Sequence, residues 1–240
     1  MAYRSDPRVA QSAATQADID AGLRSYMLSV YNYMGLGLAI TGLVAAFVAS
    51  TPAIYMPIFG SPLKWVVMLA PLGFVFFLGA RINHMSPGTA QAVFYVYAAV
   101  MGLSLASIFL VFTGESIARV FFITAGTFGA MSLWGYTTKR DLSGMGSFLI
   151  MGLIGIIIAS LVNIFLQSSA LQFAVSVIGV LVFTGLTAWD TQRIKEEYEV
   201  YASSGEGTLT KGAIMGALSL YLNFINLFIM LLQLFGTQRD

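Results

Sequence analysis

The stretch Phe183–Lys195 reads FTGLTAWDTQRIK, and within it a long apolar run stops at Asp190 and gives way to a charged segment. Asp190 is the only acid that directly abuts a hydrophobic run long enough to cross a bilayer. An uncompensated carboxylate at membrane depth is costly, so an acid placed there needs partners or a function. A helix that ended at Asp190 would also set an anion at its own negative dipole end. Either the helix continues through TQRIKEEYEV, with Arg193 and Glu197 at i+3 and i+7 as local charge pairs, or the carboxylate is paired from elsewhere. The plain alternative is a carboxylate solvated among lipid headgroups.

Outward from this stretch the chain is too apolar for a soluble domain. Of its 240 residues 58% are hydrophobic and 10% charged, and the mean hydropathy is +0.81. The predicted fold is all-α: a polytopic membrane protein with seven transmembrane helices. A helix needs about 20 residues to cross the hydrocarbon, and seven apolar runs approach that length, at about 30–50, 64–80, 90–112, 117–136, 145–166, 171–189 and 212–235. Residues 1–28 form a polar tail, 29–236 the membrane domain and 237–240 a short tail. The first tail is too long and too acidic for the basic region of a cleavable signal peptide, so a retained tail is expected. Asp18 and Asp20 stand where a helix running into the first span would be capped. TPAIYMPIFGSP reads as a loop, Pro71 and Gly73 as a kink in the second span, and Ser86, Pro87 and Gly88 as a turn before the third. Residues 167–170 make a tight hairpin between spans five and six, and Asp190–Lys211 is the longest predicted loop, with a charged helical first half and a Ser/Gly-rich second half.

With odd-numbered spans leaving the N-terminal side, that side holds nine of the twelve basic residues: Arg4, Arg8, Arg24, Arg81, Lys139, Arg140, Arg193, Lys195 and Lys211. This asymmetry predicts a cytoplasmic N-terminus and an outside C-terminus. Arg81 and Asp190 then share the cytoplasmic end. A net charge of +1 without a basic patch argues against a nucleic-acid partner. The absence of cysteine removes disulfides, thiolate metal sites and cysteine nucleophiles. There is no HExxH, GxSxG or P-loop, the single His84 cannot build a multi-histidine site, and the seventh span has no lysine for a retinal Schiff base. An enzyme is not expected, nor a bound cofactor. What remains is passage across the membrane or regulation of a partner.

Ser219, Asn223, Asn226, Met230 and Gln233 are spaced 4, 3, 4, 3 on the seventh span, which puts them on one helical stripe facing protein or water rather than lipid. On the sixth span Ser176, Phe183, Thr187 and Asp190 share a face by the same arithmetic. Arg81 is the candidate cation for Asp190, its bland reading being a positive-inside anchor that snorkels. His84 reads as a solvated loop residue, with pH sensing as the sharper alternative, and Glu115 with Arg119 as a surface pair.

Four ordered stretches carry a likeness: MSPGTAQAVFYVYAAVMGLSLASIF from Met85, GYTTKRDLSGMGSFLIMGLIG from Gly135, TAWDTQRIK from Thr187 and ALSLYLNFINLF from Ala217. In these the chain resembles the Bax inhibitor-1 family of seven-span membrane proteins, in its bacterial branch, over roughly Met27 to Gly236. The resemblance implies a seventh helix at the centre wrapped by the other six, and a pH-sensitive calcium leak, with cell-death suppression in eukaryotic members. It also implies a sensor in which two aspartates, on the sixth and seventh helices, pair at the cytoplasmic end of the pore while an arginine of the second helix latches one of them. The first aspartate matches Asp190 and the arginine Arg81. The second falls at Asn223, where the usual D-F-I-N reads Asn223, Phe224, Ile225, Asn226.

Two close carboxylates share a proton, whereas an Asp–Asn pair has one titrating group and an amide that donates to it. The expectation is therefore a calcium or other cation leak with Asp190 as gate and calcium contact, Arg81 as latch, and Ser219, Asn226, Gln233 and Thr187 beside Asn223 along the path. Gating is expected to move to more acidic pH or to weaken. Calcium is the expected permeant ion, no firm metal site is expected, and the bilayer, in bacteria the inner membrane, is the expected surrounding partner. The alternative is a regulatory protein that modulates a membrane-bound protease or stress response, as the resemblance implies for some bacterial relatives.

Overall fold

In hydrocarbon every backbone N–H and C=O must find its partner within the protein, and a helix achieves this within one segment. The long apolar runs do so here. The computed structural model describes residues 7–239, with side chains from Ile19 onward. Its elements are α1 (Pro7–Ala49), α2 (Pro52–Phe59), α3 (Leu63–Arg81), a 3-10 turn (Ile82–His84), α4 (Pro87–Val111), α5 (Gly114–Thr137), α6 (Ser143–Leu166), α7 (Ser169–Ser203) and α8 (Glu206–Phe235). Among the described residues seven helices are long and apolar enough to cross a membrane, α2 being the exception. Ser86, Thr113 and Ser168 cap α4, α5 and α7, each hydroxyl accepting from the backbone N–H three residues on.

The last helix is the centre. Of the most apolar 18 residues of α8, 72% are buried, against 11 to 39% in the other six spans. It packs on α7, α1, α5 and α4, whereas α3 leans on α4 and α6 on α7. Four of the six surrounding helices thus form most of its wall, and the other two make an outer layer. The Thr41 hydroxyl ties three of these helices together, lying 2.8 Å from Ala98 O on α4 and 2.7 Å from the Tyr221 hydroxyl on α8. Tyr221 in turn sits edge-on to Phe94 and Tyr97.

Three predicted boundaries move. The TPAIYMPIFGSP segment contains a short helix, α2, rather than being all loop. α1 is helical from Pro7, well before the start expected near Asp18. The helical first half expected over Asp190–Lys211 forms and runs on to Ser203, but the Ser/Gly-rich second half is not an open loop: α8 already begins at Glu206, leaving Ser204 and Gly205 to reverse the chain. Gly205 does so at φ 96°, a conformation open to glycine. The hairpin arms stay together because Ile194 packs on Gly216 and the Tyr201 ring on Gly212. The C-terminal tail is also held. Thr113 N donates to Thr237 O, Thr237 N to the Ser116 hydroxyl and Arg239 N to Val111 O, which fastens the tail to the α4–α5 corner. The tight α6–α7 hairpin forms as expected, through Gln167 at φ 49° and Ser168.

Gly135 of α5 abuts the backbone of Ala188 on α7, and a side chain there would collide with it, whereas Gly129 six positions earlier faces open space. Gly135→Leu is expected to cost about 1–3 kcal/mol through overpacking and to lower the thermal midpoint of the purified protein. Gly129→Ala should leave that midpoint unchanged or raise it. Equal midpoints for the two variants would contradict this contact.

Candidate functional site

The segment TAWDTQRIK lies where α7 is enclosed by α5, α6 and α8, and nearly every side chain in it has a partner. Ala188 lies against Gly135, and the Trp189 ring fills the space left by Gly146 on α6. The Thr191 hydroxyl is 2.9 Å from that of Ser132 on α5, which is 2.6 Å from the Tyr31 hydroxyl on α1. Gln192 accepts from Leu142 N at 2.8 Å and donates to Arg140 O at 2.9 Å, so one amide holds the α5–α6 loop at two points. Lys195 donates to Tyr136 O at 3.0 Å and lies over the Tyr136 ring. The segment is thus an anchor for three neighbouring helices and a loop.

Asp190 sits at the middle of this anchor, only 6% exposed. The Asn223 amide donates to its Oδ2 at 2.7 Å, and Arg193 Nη2 pairs with its Oδ1 at 2.6 Å. Arg193 is oriented by three further groups. Its guanidinium lies 4.8 Å over the Trp189 ring, donates to the Ser219 hydroxyl at 3.2 Å, and has Glu197 Oε1 3.7 Å from Nε. Each carboxylate oxygen therefore has a donor of its own, one neutral and one charged. That is what a buried carboxylate requires, since a carboxylate left without partners away from water costs several kcal/mol.

The two stripes read from the sequence meet in one seam. Ser219 and Asn223 of α8 face Arg193 and Asp190 of α7. Farther along, Met230 packs on Gly179, and the Ser176 hydroxyl is 2.8 Å from Gln233 Oε1. Thr187 and Asn226 turn their polar groups back onto their own helices, to Phe183 O and Leu222 O at 2.8 Å. Side chains meet across the seam at both of its ends, and two cavities lie away from it, one between α1 and α5 and one lined by α1, α4, α5 and α8. Among the described residues no group of acids and histidine is arranged to hold a metal ion.

Arg81 is not brought to Asp190. It is exposed at the end of α3, and α3 packs on α4 rather than on the α7–α8 seam. The turn that follows it is tied at Asn83 O to Lys211. Lys211 precedes Asn223 by twelve positions on α8, or about 18 Å along the axis. The cation on Asp190 is Arg193 of its own helix, one turn away. Its i+3 spacing is legible in the sequence, but its choice over Arg81 is not, because that choice depends on which helix α3 leans against. His84 is exposed, and Glu115 with Arg119 forms the expected surface pair at 3.2 Å. Gln192, Lys195, Ser132 and Tyr31 carried no periodic signal that would have singled them out.

Fold and site together define an all-α, polytopic integral membrane protein built around a central helix and a buried carboxylate. The family model described as Inhibitor of apoptosis-promoting Bax1 matches residues 23–240, and the chain belongs to that family. It is 52% identical over 221 residues to the Rickettsia prowazekii protein RP147, covering 92% of this chain and 93% of that one. It is 50% identical over 220 residues to the inner membrane protein YbhL of Escherichia coli, covering 91% and 94%. A Streptococcus pyogenes membrane protein is 35% identical over 235 residues, covering 92% and 96%.

Arg193→Met strands the Asp190 carboxylate. The expected loss is about 2 kcal/mol or more, below the ~3–5 of a fully enclosed pair because the arginine side chain is 37% exposed. Adding Asp190→Asn should restore most of it, while Arg81→Gln should change stability by less than about 0.5 kcal/mol. Denaturation of the four proteins in one detergent checks this, and a larger loss for Arg81→Gln than for Arg193→Met would refute the assignment.

Proposed function

We propose that the chain is a cation leak of the bacterial inner membrane, with calcium as the permeant ion and Asp190 as its gate, lying toward the cytoplasmic end. The observation that carries this reading is the pairing of a buried acid with Asn223 of the central helix and with Arg193. A single proton on Asp190 would remove the anion that holds the guanidinium, and with it a link between α7 and α8. Conduction then needs the polar α7–α8 seam to part, exposing Ser219, Asn223, Asn226 and Gln233 along one path. Arg193 acts as the latch, in the place that the family resemblance gives to Arg81. The groups facing Asp190 are Arg193 and Asn223, with Ser219 and Glu197 acting on it through the arginine. The inner-membrane location is supported by the likeness to YbhL, and the cytoplasmic N-terminus by the bias of basic residues.

The reading predicts calcium flux into liposomes that rises as pH falls. Asp190→Asn, which mimics the protonated state, should give flux that is high and no longer responds to pH. Asn223→Asp places two carboxylates side by side, so that one titrates higher and opening moves to less acidic pH. An unchanged pH response in Asp190→Asn, or no flux by the wild-type protein at any pH, would overturn the proposal.

A further inference from the structure

α1 and α5 both pack on α8, but they do not pack extensively on each other. The gap between them holds a cavity of about 450 Å³ that is open to the side. One wall is α1 through Arg24, Leu28 and Tyr31, and the other is α5 through Gly129, Leu133 and Tyr136. The wall positions run from 24 to 31 and from 129 to 136, seven helical steps on each wall. At 1.5 Å per residue both give a groove of about 10 Å, most of the roughly 15 Å depth of one leaflet's hydrocarbon. It starts near the end of α5, whose last residue is Thr137, where the chain leaves the membrane. Leu28 and Leu133 are exposed apolar residues on its rim, as a surface facing acyl chains would have.

The polar groups gather at one end. Arg24 is exposed at the mouth, and no salt bridge to it forms among the described residues. On the opposite wall Tyr136 closes the same end, its carbonyl and ring held from behind by Lys195 of α7. A slot that is apolar along its length and carries the Arg24 cation at its interfacial end is complementary to one molecule abundant in a membrane, a phospholipid with a net negative headgroup. We propose that the α1–α5 groove is a binding site for an anionic phospholipid, with the headgroup phosphate at Arg24 and one acyl chain lying between Leu28 and Leu133. The floor of the site is coupled to the carboxylate cluster by hydrogen bonds, since the Tyr31 hydroxyl bonds to Ser132 and Ser132 to Thr191, the residue after Asp190. The proposal does not depend on whether the chain conducts.

Native mass spectrometry of the full chain in detergent, titrated with phosphatidylglycerol or phosphatidylcholine of the same acyl chains, tests it. The wild type should retain one phosphatidylglycerol in preference to phosphatidylcholine. Arg24→Gln should reduce that preference about fivefold, the effect of one interfacial cation. Gly129→Phe projects a ring into the groove from a position where a side chain meets open space, so it should displace both lipids without lowering the thermal midpoint. Equal retention of the two lipids by the wild type, a preference untouched by Arg24→Gln, or lipid retained unchanged by a folded Gly129→Phe would each overturn the site. A change from dimer to monomer in Gly129→Phe would also overturn it, by assigning the groove to a second copy of the chain.

Discussion

A carboxylate taken out of water must be surrounded by donors, and at Asp190 this requirement joins two helices that hydrophobic packing alone would leave free to slide. Asn223 supplies a neutral N–H from α8, and Arg193 a charged one from the next turn of α7. Apolar side chains gain little from one another in a bilayer, because lipid tails are equally apolar, so small residues and buried polar contacts set the registry of membrane helices. Both are present around the carboxylate. Gly135 and Gly146 bring α5 and α6 against α7 on either side of it. Thr191 and Gln192 then fasten α5 and the α5–α6 loop by hydrogen bonds.

The cluster also accounts for the shape of α7 and α8 beyond the membrane. Asp190 is not the end of a helix, so the unfavourable meeting of an anion with a C-terminal dipole does not arise. α7 continues for thirteen residues to Ser203, and Arg193, Ile194 and Tyr201 in that extension all pack back on α8 or on the acid. α8 begins at Glu206 and carries Lys211 in its second turn, where the ammonium donates to Asn83 O rather than entering the seam. The central pair is therefore one long antiparallel hairpin. Its polar contacts run from Arg193 and Ser219 at one end to Ser176 and Gln233 at the other.

An Asp–Asn pair differs from a pair of acids in what it can do with a proton. Two carboxylates at this separation would hold one proton between them, whereas Asn223 can only donate its amide to an acid that titrates alone. Arg193 has a second acid within reach, since Glu197 lies 3.7 Å from its Nε while Asp190 lies 2.6 Å from its Nη2. The guanidinium thus stands between a buried carboxylate and a half-exposed one on the same helix. This arrangement needs no contribution from α3, whose Arg81 remains at the surface.

The seven membrane helices, the apolar character of the chain and the polar stripes on the last two spans were all legible in the residues. Each depends on local quantities, namely the 1.5 Å rise of a helix, the thickness of hydrocarbon and a 3.6-residue period. The facing of Asp190 by Asn223 was legible from those stripes together with the family resemblance. The charged continuation of α7 was legible too, but hydropathy missed the first turns of α8, because a helix outside the apolar run turns polar without ceasing to be a helix. The order of layers, the α1–α5 groove and the choice of Arg193 over Arg81 were decided only by the tertiary structure. They rest on which helices lean on which, and a carboxylate takes the cation that packing delivers to it.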